Sequence, residues 1–171
     1  RIVDEAYAYL VTSILNDPQN TCITYGVCGA LALPDGYPSV AKTGTSEPHE
    51  TQGLIGETWT VGYTPHLVSG IWAGNADNDP IRGITSTTVA LRAWKEFMVA
   101  ASAHLALPPT EFVRPATVVA REVCWPSGML VTPDCPVARR YSSLHVAPVL
   151  PTRASEGRAM YDNWWQRNNI D

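Results

Sequence analysis

The sequence predicts a mixed α/β fold of the α+β kind, an antiparallel sheet of about three strands covered by helices and followed by an irregular tail stapled by cysteines. Three observations carry that expectation. Apolar residues recur at helical spacing near the start of the chain and again between residues 90 and 105. Between these stretches lie three short runs of strand character, each bounded by turn residues. Beyond residue 107 the periodicity stops and proline becomes frequent, 8 of the 14 prolines falling in 108–171.

Taken in order, Val3, Ala6, Tyr7, Leu10 and Ile14 fall on one face of a helix over residues 3–16, with Asp4 and Glu5 in its first turn, where the helix dipole favours negative charge. Pro18 ends it, having no N–H to donate. Asn16 to Gly36 is rich in turn residues and closes with Leu33-Pro34-Asp35-Gly36. Tyr37 to Thr45 then reads as a strand. After the polar connection Ser46 to Glu57, Trp59, Val61 and Tyr63 alternate with Thr58, Thr60 and Gly62 and give a second strand one apolar face. Thr64-Pro65-His66 turns the chain into a third strand, Leu67 to Ala73, closed by the loop Asn75 to Pro80. From an N-cap at Thr85 or Ser86 a second helix is expected to run to about Leu105, with Ala90, Trp94, Phe97, Ala101 and Leu105 as its stripe. That stripe reads as core packing, so the helix should cover one face of the sheet. Pro108-Pro109 stops it. In the tail only Thr117 to Val123 has strand character. The rest is expected to wrap the surface rather than build a second core, with Trp164-Trp165 docking its end in preference to binding a sugar face.

At 171 residues and 45% hydrophobic content the chain can bury one good core. A net charge of -4 and a pI near 5.5, with no basic cluster, argue against a nucleic-acid partner. Residues 1–105 hold 5 Lys+Arg and 10 Asp+Glu whereas 106–171 hold 7 and 6, so the tail is a different kind of segment. No apolar run reaches the roughly 18 residues that a membrane helix needs. The chain begins with Arg1 inside a helical pattern and reads as a piece of a longer protein, with any membrane anchor expected outside it.

The cysteines fall as two close pairs, Cys22 with Cys28 and Cys124 with Cys135. Neither has zinc-ligand spacing and the histidines are scattered, so disulfides are preferred to a metal site or to free thiols, which points to an oxidising compartment. A Cys124–Cys135 bridge would contribute about 3 kcal/mol by restricting the unfolded chain. Asp77, Asn78 and Asp79 suggest a calcium loop, but the glycine and terminal glutamate of such a loop are not in place, and a solvated hairpin end accounts for them. No metal is expected.

The stretch with the most nameable chemistry is Tyr37 to Thr45, reading YPSVAKTGT. On a strand, Thr43 and Thr45 point to one face while Lys42 and Gly44 point to the other. At a sheet edge an extended peptide can pair with the backbone, Gly44 lets it come close, two hydroxyls can meet an anionic group, and Lys42 adds a positive charge. An ordinary threonine-rich strand with a solvated lysine is the plain alternative.

Lys42-Thr43-Gly44-Thr45 resembles the K-T-G motif of the penicillin-recognising serine enzymes, whose other signatures are S-x-x-K and S-x-N. With Thr58 to Asn75 (TWTVGYTPHLVSGIWAGN) and Trp94 to Met98 (WKEFM), it looks like the last part of the transpeptidase domain of a class A, bifunctional penicillin-binding protein. The likeness covers roughly residues 1–107, and 108–171 resembles the C-terminal extension found in some members. The implied fold is a partial β-lactamase/transpeptidase-like one.

What the resemblance implies is a D-alanyl-D-alanine transpeptidase that cross-links peptidoglycan outside the cytoplasm and is acylated by β-lactams. A serine activated by a lysine one helical turn later attacks the stem peptide, and the acyl group passes to an amine. Lys42 would assist proton transfer and electrostatics, Thr43 and Thr45 would hold the terminal carboxylate, the Thr45 N–H would supply half of the oxyanion hole, and Gly44 would leave room for the donor peptide. No cofactor is implied. The partners are a stem peptide or β-lactam and the N-terminal remainder of the same protein. The S-x-x-K match Ser39-Val40-Ala41-Lys42 overlaps K-T-G on the expected strand, where its ends face opposite ways, so Ser39 is read as a coincidence, and no S-x-N triplet occurs. Both motifs precede K-T-G in family order and are expected on polypeptide outside this sequence. A degenerate binding module and a related carboxypeptidase or β-lactamase-type hydrolase are the alternatives.

Overall fold

A computed structural model of the chain describes residues 2–46, 54–77, 79–133, 135–147 and 149. Asn78, most of the connection after Ser46, and Trp164-Trp165 lie outside the described residues. Two compact units are present, one spanning Val11–Val113 and the other joining the residues up to Leu10 to the segment that begins at Arg114.

The first unit is built on an antiparallel sheet of β1 (Val40–Ser46), β3 (Glu57–Tyr63) and β4 (Val68–Gly74), in the order β1-β3-β4. A two-residue pair, β2 (Leu54–Ile55) with β5 (Ile81–Arg82), lies beside it in sequence. The strand start differs from the expectation at Tyr37. Pro38 lacks a ladder donor, and the Ser39 hydroxyl accepts the Leu33 N–H at 3.2 Å, which ties this end of the run to the preceding turn.

Register decides the faces. Lys42 opposes Val61 and Gly44 opposes Trp59, which in turn opposes Trp72, so these side chains share one face. Ala41, Thr43, Gly62, Thr60, Thr58, Ser69 and Ile71 share the other, against which the helix α3 (Ala90–His104) packs. The apolar alternation of β3 therefore does not mark its buried face: Thr58 and Thr60 are fully buried, whereas Trp59 and Val61 are 43% and 48% exposed. The cause is steric. A Cβ on Gly62 would stand 2.3 Å from Cζ2 of Trp94 and 2.5 Å from the Val40 carbonyl oxygen, so the indole fits against the sheet only over the glycine side.

The core joins Leu91, Trp94 and Met98 of α3 to Leu31, Leu33 and Ala41, with Tyr25, Tyr37, Leu67 and Ile71 packed around them. The buried row of α3 is Ala90, Leu91, Trp94, Met98 and Ser102, rotated from the expected stripe, and Phe97 and Leu105 are exposed. Ser69 Oγ donates to Met98 Sδ at 3.2 Å, fixing that rotation from the sheet side. The N-cap also moves. Thr85 and Thr88 exchange backbone N–H to hydroxyl bonds at 2.8 and 3.2 Å, so the predicted capping hydroxyl holds a turn ahead of the helix, which itself starts at Ala90.

The helix α1 (Glu5–Asn16) is capped by Asp4, whose carboxylate accepts the Ala6 N–H at 2.9 Å. Its apolar stripe is buried only in part: Ala6 is buried, together with Thr12 from outside the stripe, while Val3, Tyr7 and Ile14 are exposed. The Thr12 hydroxyl shares a 2.7 Å hydrogen bond with the Tyr63 phenol, and that polar contact turns the helix. Pro18 opens a 3₁₀ turn (Pro18–Thr21) that leads into the one-turn helix α2 (Cys22–Tyr25).

In the second unit β6 (Val118–Cys124) pairs with β7 (Met129–Leu130) and with β8 (Arg140–Val146), a three-stranded antiparallel sheet that adds regular structure where wrapping was expected. Val118 and Val123 are buried in it. The Cys124–Cys135 disulfide staples its end, and the Arg140 guanidinium donates to the Cys135 carbonyl at 3.0 and 3.2 Å. Cys22 and Cys28 form the other disulfide.

Because both the indole and a backbone carbonyl occupy the space of a β-carbon at Gly62, Gly62→Ala is expected to destabilise the first unit by about 2–3 kcal/mol. Urea denaturation of the variant against the parent checks this, and an unchanged midpoint would contradict the packing described.

Candidate active site

Among the described residues β1 pairs only with β3, so its other edge is open. Beside that edge lies a cleft of about 820 Å³ lined by residues of β1, of the loop after α2, of the Thr85–Thr87 turn and of α3. Lys42 and Thr43 reach it from β1, Tyr25 from α2, and Arg92 and Lys95 from α3. The side chains of Lys42 and Thr45 are exposed and Thr43 is 8% exposed. Lys42 Nζ donates to the Thr43 carbonyl at 2.7 Å, and the Thr43 hydroxyl shares a 2.6 Å hydrogen bond with the Tyr25 phenol. Thr45 is not among the cleft's lining residues and lies two positions further along the same edge.

Gly44 is not required by packing inside the sheet. A Cβ there would make ordinary van der Waals contact with Trp59 Cβ at 3.6 Å, in contrast to the clash at Gly62. Ser39 is buried, bonded to the Leu33 N–H, and absent from the cleft's lining, so the overlapping S-x-x-K match is a packed structural serine in this fold.

The cleft's lining sets three cationic side chains, Lys42, Arg92 and Lys95, against one carboxylate, Glu96, and adds the hydroxyls of Tyr25, Thr43 and the Thr85–Thr87 turn. Lys95 Nζ donates to the Ala30 carbonyl at 2.7 Å, and burial lowers its pKa from the ordinary lysine value. Arg92 is exposed and paired with Glu96 at 3.0 Å. Such a lining suits an anionic group with polar substituents. Tyr25, Arg92 and Lys95 went unnoticed in the sequence. Tyr25 sits between two cysteines six positions apart, a hint of fixed position but not of direction, and Arg92 and Lys95 look like ordinary helix-surface cations. At the acidic run, Asp77 Oδ1 accepts the Asp79 N–H at 3.2 Å and Asn75 Nδ2 donates to the Asp79 carbonyl at 2.9 Å, a hydrogen-bonded turn. Among the described residues no group of three His, Cys, Asp or Glu side chains is placed to hold a metal ion, and no helix is long and apolar enough to cross a membrane.

The edge strand, the helix over its back and the open cleft make a site that an extended anionic ligand could enter, and comparison with known proteins bears on what it is. The chain is related to the class A penicillin-binding proteins. It is 30% identical over 118 residues to penicillin-binding protein 1A of Clostridium botulinum, covering 67% of this chain and 14% of that one. It is 27% identical over 141 residues to penicillin-binding protein 1A of Clostridium tetani, covering 80% of this chain and 16% of that one. The crystal structure of penicillin-binding protein 1A from Haemophilus influenzae matches its fold with a TM-score of 0.63 at 22% identity, over 90% of this chain and 22% of that one. No protein-family profile matches the chain. It thus spans about one-seventh of the length of the curated relatives, a partial coverage that fits a segment of the transpeptidase region.

Lys95 supplies a test of the cleft's burial. Its lowered pKa means that the folded chain releases this proton at a lower pH than the unfolded chain, so its contribution to stability should rise with pH in the alkaline range just below ordinary lysine titration. Urea midpoints across that range should climb more for the parent than for Lys95→Met, and parallel curves would contradict it.

Proposed function

We propose that this chain supplies the K-T-G wall of a peptidoglycan cross-linking D-alanyl-D-alanine transpeptidase, acting outside the cytoplasm and acylated by β-lactams. Residues 1–107 are the last part of its transpeptidase domain and 108–171 an extension. The observation that carries the reading is the open β1 edge, where exposed Lys42 and Thr45 flank a glycine that sheet packing does not demand, next to a cationic, hydroxyl-lined cleft.

In this reading the attacking serine lies on polypeptide outside this sequence. Lys42 stabilises developing negative charge and assists proton transfer from that serine, the Thr43 and Thr45 hydroxyls hold the substrate carboxylate, and the Thr45 N–H is half of the oxyanion hole, a donor whose loss costs about 3–4 kcal/mol of barrier. Gly44 admits the donor peptide along the strand. The half-exposed Trp59, Val61 and Trp72 share the face of Lys42 and offer apolar surface to the serine-bearing polypeptide. The two disulfides support an oxidising compartment.

Incubated alone with a fluorescent penicillin, this chain should remain unlabelled, whereas the full-length protein should be labelled covalently. In that protein Lys42→Ala should slow labelling by at least about 100-fold. Covalent label on this chain alone would refute the missing-serine reading, and labelling of the full-length protein indifferent to Lys42 would refute the site. A second expectation concerns Gly44→Ala, which should leave the thermal midpoint within a few degrees and yet slow labelling by roughly tenfold or more, because the added methyl meets the ligand rather than the sheet. Equal labelling would place the ligand elsewhere.

A further inference from the structure

Resting on the transpeptidase reading above, we propose that Tyr25 is a positioning residue: its phenol aims the Thr43 hydroxyl at the ligand's carboxylate, and the Cys22–Cys28 disulfide holds the phenol in place. The two oxygens are 2.6 Å apart and both residues line the cleft. Thr43 is β-branched and nearly buried, so its side chain has little freedom and the direction of its single hydroxyl hydrogen is the remaining variable.

A carboxylate can only accept. With an anion at Thr43, the threonine hydrogen must go to the anion, and the 2.6 Å contact then requires the phenol to donate to Thr43. The bonds run head to tail from phenol to threonine to carboxylate, and each strengthens the next. Without the phenol, the threonine hydroxyl is free to turn to nearby backbone acceptors instead.

The loop around Tyr25 is built to fix that phenol. Tyr25 ends α2, and Gly26 follows it at φ 69°, the left-handed conformation that lets the chain reverse at once. The buried Thr21 hydroxyl donates to the Pro18 carbonyl at 2.7 Å and accepts the Gly29 N–H at 2.7 Å, drawing the two ends of the loop together. A helix of one turn has almost no stability of its own. The disulfide that closes Cys22 to Cys28 across this turn is therefore what keeps Tyr25 in register with Thr43. Cys28 is exposed, so a reductant can reach the bridge, and the redox state of the loop is communicated to the cleft.

The test uses the full-length protein and two probes, a fluorescent penicillin and its carboxyl methyl ester. Tyr25→Phe, which removes one oxygen, should slow labelling by the acid roughly tenfold while changing labelling by the ester less than about twofold. In a Cys124→Ser/Cys135→Ser background, reduction of Cys22–Cys28 should produce a loss of the same kind, with little further loss when Tyr25 is already phenylalanine. Equal slowing of acid and ester would make Tyr25 a mere prop for the loop and overturn the proposal, as would no slowing of either. Fully additive effects of reduction and Tyr25→Phe would overturn the disulfide's part in it. Labelling that depends on Lys42 with an acid-to-ester ratio unmoved by Tyr25→Phe sinks this inference alone, whereas labelling independent of Lys42 sinks the site reading beneath it.

Discussion

The contact on which the rest of the first unit depends is the indole of Trp94 against Gly62. It brings α3 close enough to the sheet to seal one face, and it is possible only because β3 carries no β-carbon at that position. Trp94 is fully buried with Met98, and a side chain of that size is worth about 3–5 kcal/mol to the fold. Once that face is fixed, strand alternation fixes the other. Thr58 and Thr60 go under the helix, and Trp59, Val61 and Trp72 turn outward on the side of Lys42.

The cleft inherits its character from that choice. Thr43 lies on the sealed face at the sheet edge, where a side chain from the preceding loop can reach it, and Tyr25 does so. Lys42 lies on the opposite face but at the same open edge, so the ammonium and the hydroxyl approach the cleft from two sides of one strand. Among the described residues the outer edge of β1 has no strand beside it, which leaves backbone groups there for an added strand to pair with. Here the residues along the edge are chemically suited to an extended, anionic peptide, and the related proteins are penicillin-binding proteins.

Much of the fold was legible because it is local. The three strands and the helix ending near His104 announce themselves through short-range periodicity and through Pro18, Pro65 and Pro108. Of the sheet in the second unit only β6 did, as the run Thr117 to Val123. Its β7 has two residues, a length that shows no periodicity, and its β8, RYSSLHV, has no clean alternation and exists through pairing with β6 across the intervening loop. The buried faces of both helices overlap their apolar stripes only in part, for a related reason. Apolar spacing says that a helix has a face, and the partner decides which face is covered: Thr12 to Tyr63 for α1, and Gly62 and Ser69 for α3.

By itself the sequence determined the K-T-G strand, its likeness to the penicillin-recognising enzymes and a preference for disulfides over a metal site, because each is carried by residue types at short separations along one chain; the structure pairs Cys22 with Cys28 and Cys124 with Cys135. Only the tertiary structure decided that Ser39 is a packing residue, that Gly62 and not the apolar alternation selects the buried face, and that Tyr25, Arg92 and Lys95 gather around Thr43. Those facts are set by how segments meet in space, across 18 residues for Tyr25 and Thr43 and 65 for Lys95 and Ala30, and no local pattern encodes the direction in which a side chain meets such a partner.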